Sequence, residues 1–256
     1  MKQVFYTLFI LIMGFSGYSQ NTANYFNRMN PVVRGYDGRS EMAGEYFRRG
    51  TLRMVDRNYH EAIDDFSKAI ESDPLYADAY NHRGVAKRNL MDNEGAIEDF
   101  NKALELDPKY AEAYNNRGNA KLGLGDNRGA VTDYTRALEF DHRLADTYNN
   151  RGLARKNLGN LTEAIDDFTM AIKIEHRFAD AYNNRGLAKN DLRDFAGAIS
   201  DFTSAIEIVP DFAVAFSNRG VVKITSGQVE SGCMDLSTAV SLGNLPANEI
   251  IGKLCN

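Results

Sequence analysis

The sequence has no tryptophan, and its 256 residues include only two cysteines, four histidines and five prolines. The cysteines and histidines form no C-x-x-C pair or other metal-ligand spacing. The glycine-rich phosphate loop and the G-x-S-x-G, H-E-x-x-H and dinucleotide-binding motifs are also absent. These absences predict a protein that is not an enzyme and that holds no metal and no cofactor.

An excess of basic residues is missing as well. The chain has 30 Lys and Arg against 35 Asp and Glu, which gives a formal net charge of −5. Nucleic acids are bound through clustered positive charge, so we expect no nucleic-acid partner. The content of 43% hydrophobic and 25% charged residues is typical of a soluble globular protein.

A single long apolar run occurs, at the N-terminus. Lys2 precedes an apolar stretch at residues 4–13, and small residues follow up to Ser19. This order is typical of a secretory signal peptide, so we interpret residues 1–19 as a segment that is cleaved on export. The alternative is a short membrane anchor, but a spanning helix needs about 20 apolar residues. We therefore expect a periplasmic or secreted mature protein without a membrane span; a cytoplasmic scaffold follows if the segment is no signal.

Beyond this segment, a strict repeat organises the chain. Residues 20–42 show no helical period and are predicted to be a linker or mobile N-terminal arm. From residue 43 on, six glycines recur at intervals of 34 residues: Gly50, Gly84, Gly118, Gly152, Gly186 and Gly220. The predicted units are residues 43–76, 77–110, 111–144, 145–178, 179–212 and 213–246, followed by a capping helix at 247–256. Such a period predicts a stacked array of structural repeats.

Each unit contains two amphipathic patterns of helical period, separated by a break such as Gly125. The fixed glycine is expected to let the paired helix approach closely. We expect four tyrosines to fill the space beside these glycines and the small residues of the second helix: Tyr80, Tyr114, Tyr148 and Tyr182.

The second unit carries an ordered set of aromatic, small and proline residues: Tyr80, Gly84, Ala96, Phe100, Ala103 and Pro108. This set resembles the tetratricopeptide repeat, and it recurs in phase six times with few departures. The proline is replaced by His142, His176 and Asn244 in three units, and the alanine is replaced by Gly232 in the sixth. The resemblance implies an all-α, right-handed superhelical solenoid of six helix-turn-helix repeats, whose first helices line a concave groove. It also implies a protein that binds peptides or protein segments and is seldom catalytic.

Two charged series run through all units. The residue before each fixed glycine is an arginine, and an aspartate follows sixteen residues later, as in Arg117 and Asp133. We interpret the series as Arg–Asp pairs across each helix hairpin, since Arg is favoured for bidentate, partly buried pairs. The alternative is an anion-binding stripe formed by these arginines together with Lys87, Lys121, Lys189 and Lys223.

Asparagines form another series, on the side of the first helices opposite the arginines. We call the equivalent positions of successive repeats a phase. The members of the series are Asn81, Asn115, Asn149 and Asn183 in a first phase, Asn116, Asn150, Asn184 and Asn218 in a second phase one residue later, and Asn119 beside them. The second phase resembles the asparagine ladder of O-linked N-acetylglucosamine transferase, which implies a grip on peptide backbone. The alternative is that each amide bonds to backbone of the neighbouring repeat. The cations on this side, Arg48, Arg88 and Lys156, are scattered, unlike those of a carboxylate clamp.

Cys233 and Cys255, near the C-terminus, are a disulfide candidate that would hold the capping helix in place, because paired cysteines in exported proteins are commonly oxidised. The alternative is two buried thiols.

Together these patterns predict a non-enzymatic scaffold that binds extended peptide or protein segments in the groove formed by the repeats. The alternatives are a structural or self-assembling envelope protein and a regulatory subunit of an enzyme complex. The partner's identity and the oligomeric state are not encoded in a recognisable motif.

Overall fold

The computed structural model of the protein describes residues 38–255, and all regular elements in this range are α-helices. The signal peptide assigned to residues 1–19 and most of the predicted arm lie outside the described residues. The chain divides into two compact units after Pro74. Within residues 38–255, no helix combines the length and the apolar character that crossing a membrane requires.

The first unit contains helices α1 (Gly38–Val55) and α2 (Tyr59–Ser72), which pack against each other. Helix α1 begins before residue 43, so the last residues assigned to the arm belong to this helix. Glu41 lies in its first turn, where a negative charge favours the helix N-terminus. The core of the pair is formed by Ala62, Phe66 and Ala69, which are fully buried.

The second unit contains five helix pairs and a final short helix. They are α3 (Ala77–Asn89), α4 (Asn93–Leu106), α5 (Ala111–Gly123), α6 (Asn127–Phe140), α7 (Ala145–Asn157), α8 (Leu161–Ile174), α9 (Ala179–Asp191), α10 (Phe195–Ile208), α11 (Ala213–Thr225), α12 (Val229–Ser241) and α13 (Pro246–Leu254). Each helix packs on the next in the chain, and neighbouring first helices such as α5 and α7 also touch. The predicted all-α solenoid of helix-turn-helix repeats is confirmed.

The close approach of the two helices of a pair takes place at the fixed glycine. A Cβ atom on Gly84 would lie 2.7 Å from the ring of Phe100, and one on Gly118 would lie 2.7 Å from the ring of Tyr134. Both distances are shorter than any side chain tolerates, so only glycine fits. We expected Tyr80 to be the large residue that packs against the small ones. This expectation was wrong, because the ring that lies against Gly84 is that of Phe100 on the second helix of the pair.

Each pair turns between its helices through one residue in the left-handed backbone region. This residue is Gly125, Gly159 or Gly227 in three pairs of the second unit, but Met91 and Arg193 in two others. After the turn, Asp126 accepts a hydrogen bond from the backbone N–H of Gly129 over 2.9 Å. Such a cap supplies a partner for one of the free N–H groups that begin a helix.

The last helix, α13, closes the C-terminal end of the second unit. Cys233 on α12 and Cys255 after α13 form a disulfide, with their Cα atoms 5.9 Å apart. Cys255 also packs against the apolar cluster of Leu236, Ala239 and Ala247. Helix α13 therefore covers the apolar end of the last repeat, which in a solenoid has no following neighbour.

Candidate functional site on the asparagine face

Each arginine of the series pairs with the aspartate of its own hairpin. Arg117 donates from Nε to Oδ2 of Asp133 over 2.9 Å and from Nη2 to Oδ1 over 2.7 Å. The same bidentate pairing joins Arg49 to Asp65, Arg83 to Asp99, Arg151 to Asp167, Arg185 to Asp201 and Arg219 to Asp235. The predicted Arg–Asp pairs are confirmed.

The lysines of the alternative anion-binding stripe bind the same carboxylates. Lys121 Nζ lies 2.7 Å from the second oxygen of Asp133, and Lys223 Nζ lies 2.9 Å from that of Asp235. Each arginine also lies over an aromatic ring of its own helix, as Arg117 does over Tyr114 with 5.4 Å between Cζ and the ring centroid. Because carboxylate and ring surround them, these cations stabilise the hairpins rather than form a free anion-binding stripe.

The nine predicted groove asparagines differ in exposure, and we call this set the asparagine face. Four of them are buried: Asn81, Asn116, Asn149 and Asn183. The other five are partly exposed: Asn115, Asn119, Asn150, Asn184 and Asn218. The two phases therefore do not form one uniform surface.

Asparagine side chains join neighbouring repeats directly. Asn116 donates from Nδ2 to Oδ1 of Asn81 over 3.0 Å, a residue 35 positions earlier. The same bond links Asn184 to Asn149 over 3.0 Å and Asn218 to Asn183 over 2.9 Å. The alternative of a stacking role thus has a physical basis, although the partner is a side chain of the preceding repeat and not its backbone.

One step of this series is different. Asn150 donates to Oδ1 of Asn119 over 3.0 Å, and the hydroxyl of Tyr134 donates to the same oxygen over 2.8 Å. Asn115, left without an asparagine partner, accepts a hydrogen bond from the Thr147 hydroxyl over 2.9 Å. Repeats three and four therefore contain a local polar cluster.

Three amide oxygens of the second phase accept no hydrogen bond from another residue within 38–255, those of Asn116, Asn184 and Asn218. Among the described residues, the one buried side-chain polar atom without a hydrogen bond is Nε of Arg88. The three amide oxygens are consequently accessible to solvent. Since each amide N–H₂ group is held by the preceding repeat, each oxygen has a fixed orientation and remains free to accept a hydrogen bond.

Arg88, one of the scattered cations on this side, has an unusual environment. Burial lowers the pKa of its guanidinium, and burial likewise raises the pKa of the nearby Tyr134 hydroxyl. Sequence reasoning noted Arg88 but not its burial, and it did not count Tyr134 or Thr147 among the site residues. The sequence contained a signal for both residues. At the equivalent positions of the other repeats, Tyr134 is mostly replaced by Phe and Thr147 mostly by Ala.

The described residues contain no group of His, Cys, Asp and Glu arranged to hold a metal.

Family models match much of the second unit. A model described as "TPR repeat" matches residues 92–125, and one described as "Tetratricopeptide repeat" matches residues 145–178. Another with the latter description matches residues 111–141 and 179–212.

Individual proteins are similar to parts of this chain in sequence or structure. The "DnaJ protein P58IPK homolog" of Arabidopsis thaliana is 38% identical over 55 residues, which are 22% of this chain and 11% of that protein. A crystal structure of MamA protein is 28% identical with a TM-score of 0.58, covering 66% of this chain and 92% of that one. YrrB, described as "a TPR protein with an unusual peptide-binding site", is 24% identical with a TM-score of 0.62, covering 74% and 98%. The chain is therefore a tetratricopeptide-repeat protein, and its fold is that of a protein–protein interaction scaffold.

Proposed function

We propose that the protein is a non-enzymatic scaffold that binds extended peptide segments of its partners along the asparagine face. In this proposal the face lines the concave groove that the family resemblance implies. The observation that supports it most is the row of free amide oxygens on Asn116, Asn184 and Asn218.

The chemistry of these oxygens matches peptide backbone. A backbone N–H is a donor that every residue except proline supplies, so a row of acceptors recognises a chain largely independently of its sequence. Packed helices lie about 8–10 Å apart, and an extended chain advances about 3.3 Å per residue. Oxygens on adjacent first helices would thus meet N–H groups about three residues apart.

We further propose that this binding takes place outside the cytoplasm, in the envelope or beyond the cell. The signal-peptide pattern of residues 1–19 supports export. The disulfide between Cys233 and Cys255 supports it independently, because such bonds persist in oxidising compartments.

The test is an array of 12-residue peptides probed with the purified protein and with two variants. Asn184→Ala and Asn149→Ala both remove the hydrogen bond between these residues, but only Asn184→Ala removes the exposed oxygen. We expect peptide binding to fall more in Asn184→Ala than in the matched control Asn149→Ala, with both variants helical by circular dichroism. Equal affinities of the two variants, or no peptide bound by the unaltered protein, would contradict the proposal.

A further inference from the structure

Helix α1 exposes a side that the other first helices bury. Leu52 on α1 is 61% exposed. Its equivalents on later first helices are buried against the second helix of the preceding repeat: Ala120, Ala154, Ala188 and Val222. Glu45, two helical turns before Leu52 on the same side of α1, is also exposed. The equivalents of Glu45 are buried as well: Ala79, Ala113, Thr147, Ala181 and Ala215.

We call Glu45, Arg48, Leu52 and Val55 the N-terminal face, since their spacing of three and four residues places them along one side of α1. This face carries larger apolar residues than its phases do elsewhere. The phase of Leu52 otherwise holds Ala86, Ala120, Ala154, Ala188 and Val222. The phase of Val55, which is 69% exposed, otherwise holds Asn89, Gly123, Asn157, Asp191 and Thr225. The end of a repeat array needs a polar surface if water is to cover it, so an enlarged apolar face indicates another occupant.

The chain that leads into α1 carries the apolar side chains that such a face requires. Half of the residues from 25 to 36 are aromatic or large and aliphatic: Tyr25, Phe26, Met29, Val32, Val33 and Tyr36. Linker segments typically contain few such residues. The same stretch contains two arginines and no acidic residue, and Glu45 on the N-terminal face provides an opposite charge for one of them.

This segment is also long enough to reach the N-terminal face. Leu52 follows Gly38, the first residue of α1, by 14 residues, which corresponds to about 21 Å along the helix axis. The chain from Phe26 to Gly38 spans up to about 40 Å when it is extended. A segment tethered this closely acts at an effective concentration in the millimolar range, which favours it over a second copy of the protein.

We propose that residues 25–36 bind to the N-terminal face of α1 and cover Leu52 and Val55. The inference is independent of the proposed peptide binding, because the asparagine face lies on helices of the second unit and α1 belongs to the first. A covered N-terminal face offers no apolar surface to a second copy. The proposal therefore disfavours the alternative of a self-assembling protein that stacks through this face.

The test measures how fast a maleimide reagent reacts with single cysteines introduced into the whole protein, with the native disulfide left oxidised. Val55→Cys places the thiol on the N-terminal face. Asn89→Cys is the matched control, because Asn89 has the same phase on α3 and is also exposed. The rate of each variant is divided by its rate in urea, which removes differences in the intrinsic reactivity of the thiols.

We expect Val55→Cys to react about tenfold more slowly than Asn89→Cys at every protein concentration, because a covered thiol reacts only when its cover detaches. Adding Phe26→Ser and Val33→Ser to Val55→Cys should raise its rate to that of the control. Adding Asn27→Ser and Asn30→Ser instead, which changes polar residues of the same segment, should leave the thiol protected.

Three results would overturn the inference. Equal rates in Val55→Cys and Asn89→Cys would show that the N-terminal face is open to solvent. Protection that increases with protein concentration would assign the cover to a second copy. Protection that survives Phe26→Ser and Val33→Ser would show that the apolar residues of this segment do not provide the cover.

Discussion

The amide of Asn184 donates a hydrogen bond to the amide oxygen of Asn149, which lies 35 residues earlier in the preceding repeat, over 3.0 Å. This bond fixes which atom each side chain can offer to a partner. The N–H₂ group of Asn184 faces its neighbour, so the oxygen is left for an external donor. A stacking role and a binding role are thus carried by different atoms of one residue.

The first prediction concerns the stability that this bond provides. Asn149 is only 8% exposed, so Asn149→Ala leaves the amide of Asn184 without its partner. We expect a loss of about 1–3 kcal/mol in the free energy of unfolding, measured by urea denaturation. The control is Asn157→Ala, which breaks an exposed bond to Asn127 and should cost less than about 0.5 kcal/mol. Equal losses of unfolding free energy in the two variants would show that burial does not strengthen the contribution of the Asn184–Asn149 bond.

The turn between α3 and α4 gives a prediction of the opposite sign. Met91 has a backbone φ of 65° and is 80% exposed, so its side chain contributes little packing while its backbone is strained. Met91→Gly should stabilise the protein by about 1 kcal/mol, the typical cost of this conformation for a residue with a Cβ. Gly125→Ala, at the same phase with φ of 80°, should destabilise it by a similar amount. Thermal unfolding of both variants measures the effect, and a less stable Met91→Gly would refute it.

Acid sensitivity should follow from the paired aspartates. Burial raises the pKa of Asp235, but hydrogen bonds from Arg219 and Lys223 outweigh it and hold this pKa below the ordinary value of 3.8. A carboxyl with a lowered pKa stabilises the fold fully above its ordinary pKa, and the contribution disappears as the pH falls through the lower folded value. Asp235→Asn should therefore lose less additional stability below about pH 4 than the unaltered protein does.

The matched control for this prediction is Asp191→Asn, a change of an exposed carboxylate at the end of α9. Its stability should decline with falling pH as in the unaltered protein. Urea midpoints measured from neutral pH down to acid provide the comparison. Parallel curves for Asp235→Asn and the unaltered protein would exclude a contribution from this carboxylate.

The disulfide between Cys233 and Cys255 is the basis of another prediction. It joins residues 22 apart, and closing a loop of this size in the unfolded chain corresponds to about 3 kcal/mol of stability. Reduction should therefore lower the unfolding temperature, with the loss concentrated at α12 and α13 in hydrogen exchange. A thiol assay on denatured, unreduced protein should detect no free thiol, whereas two thiols per chain would contradict the bond.

Much of the architecture could be predicted from the sequence because the repeat determines it. A period of 34 residues gave the helix pairs, and the constant spacing of sixteen residues gave the Arg–Asp pairs. Both depend on contacts within one hairpin, whose geometry is local. The contacts of Asn184 and Asn149 lie between repeats, where a helical wheel shows the face but not which atoms meet.

The tyrosines show a second limit of sequence reasoning. Tyr114 and Tyr134 are both aromatic residues of one repeat, and the sequence does not indicate which of them lies against Gly118. The structure assigns that contact to Tyr134, while Tyr114 lies beneath Arg117. Similarly, a periodic pattern does not reveal that Nε of Arg88 is buried and donates a hydrogen bond to no described residue.

The central claim is that the free amide oxygens of the asparagine face accept hydrogen bonds from peptide backbone. The most direct measurement is a scan of one bound peptide in which single amides are replaced by esters, which removes the N–H and keeps the shape. We predict that affinity falls at positions about three residues apart, and that one of these losses vanishes in Asn184→Ala. Ester replacement that leaves affinity unchanged at every position would contradict the account.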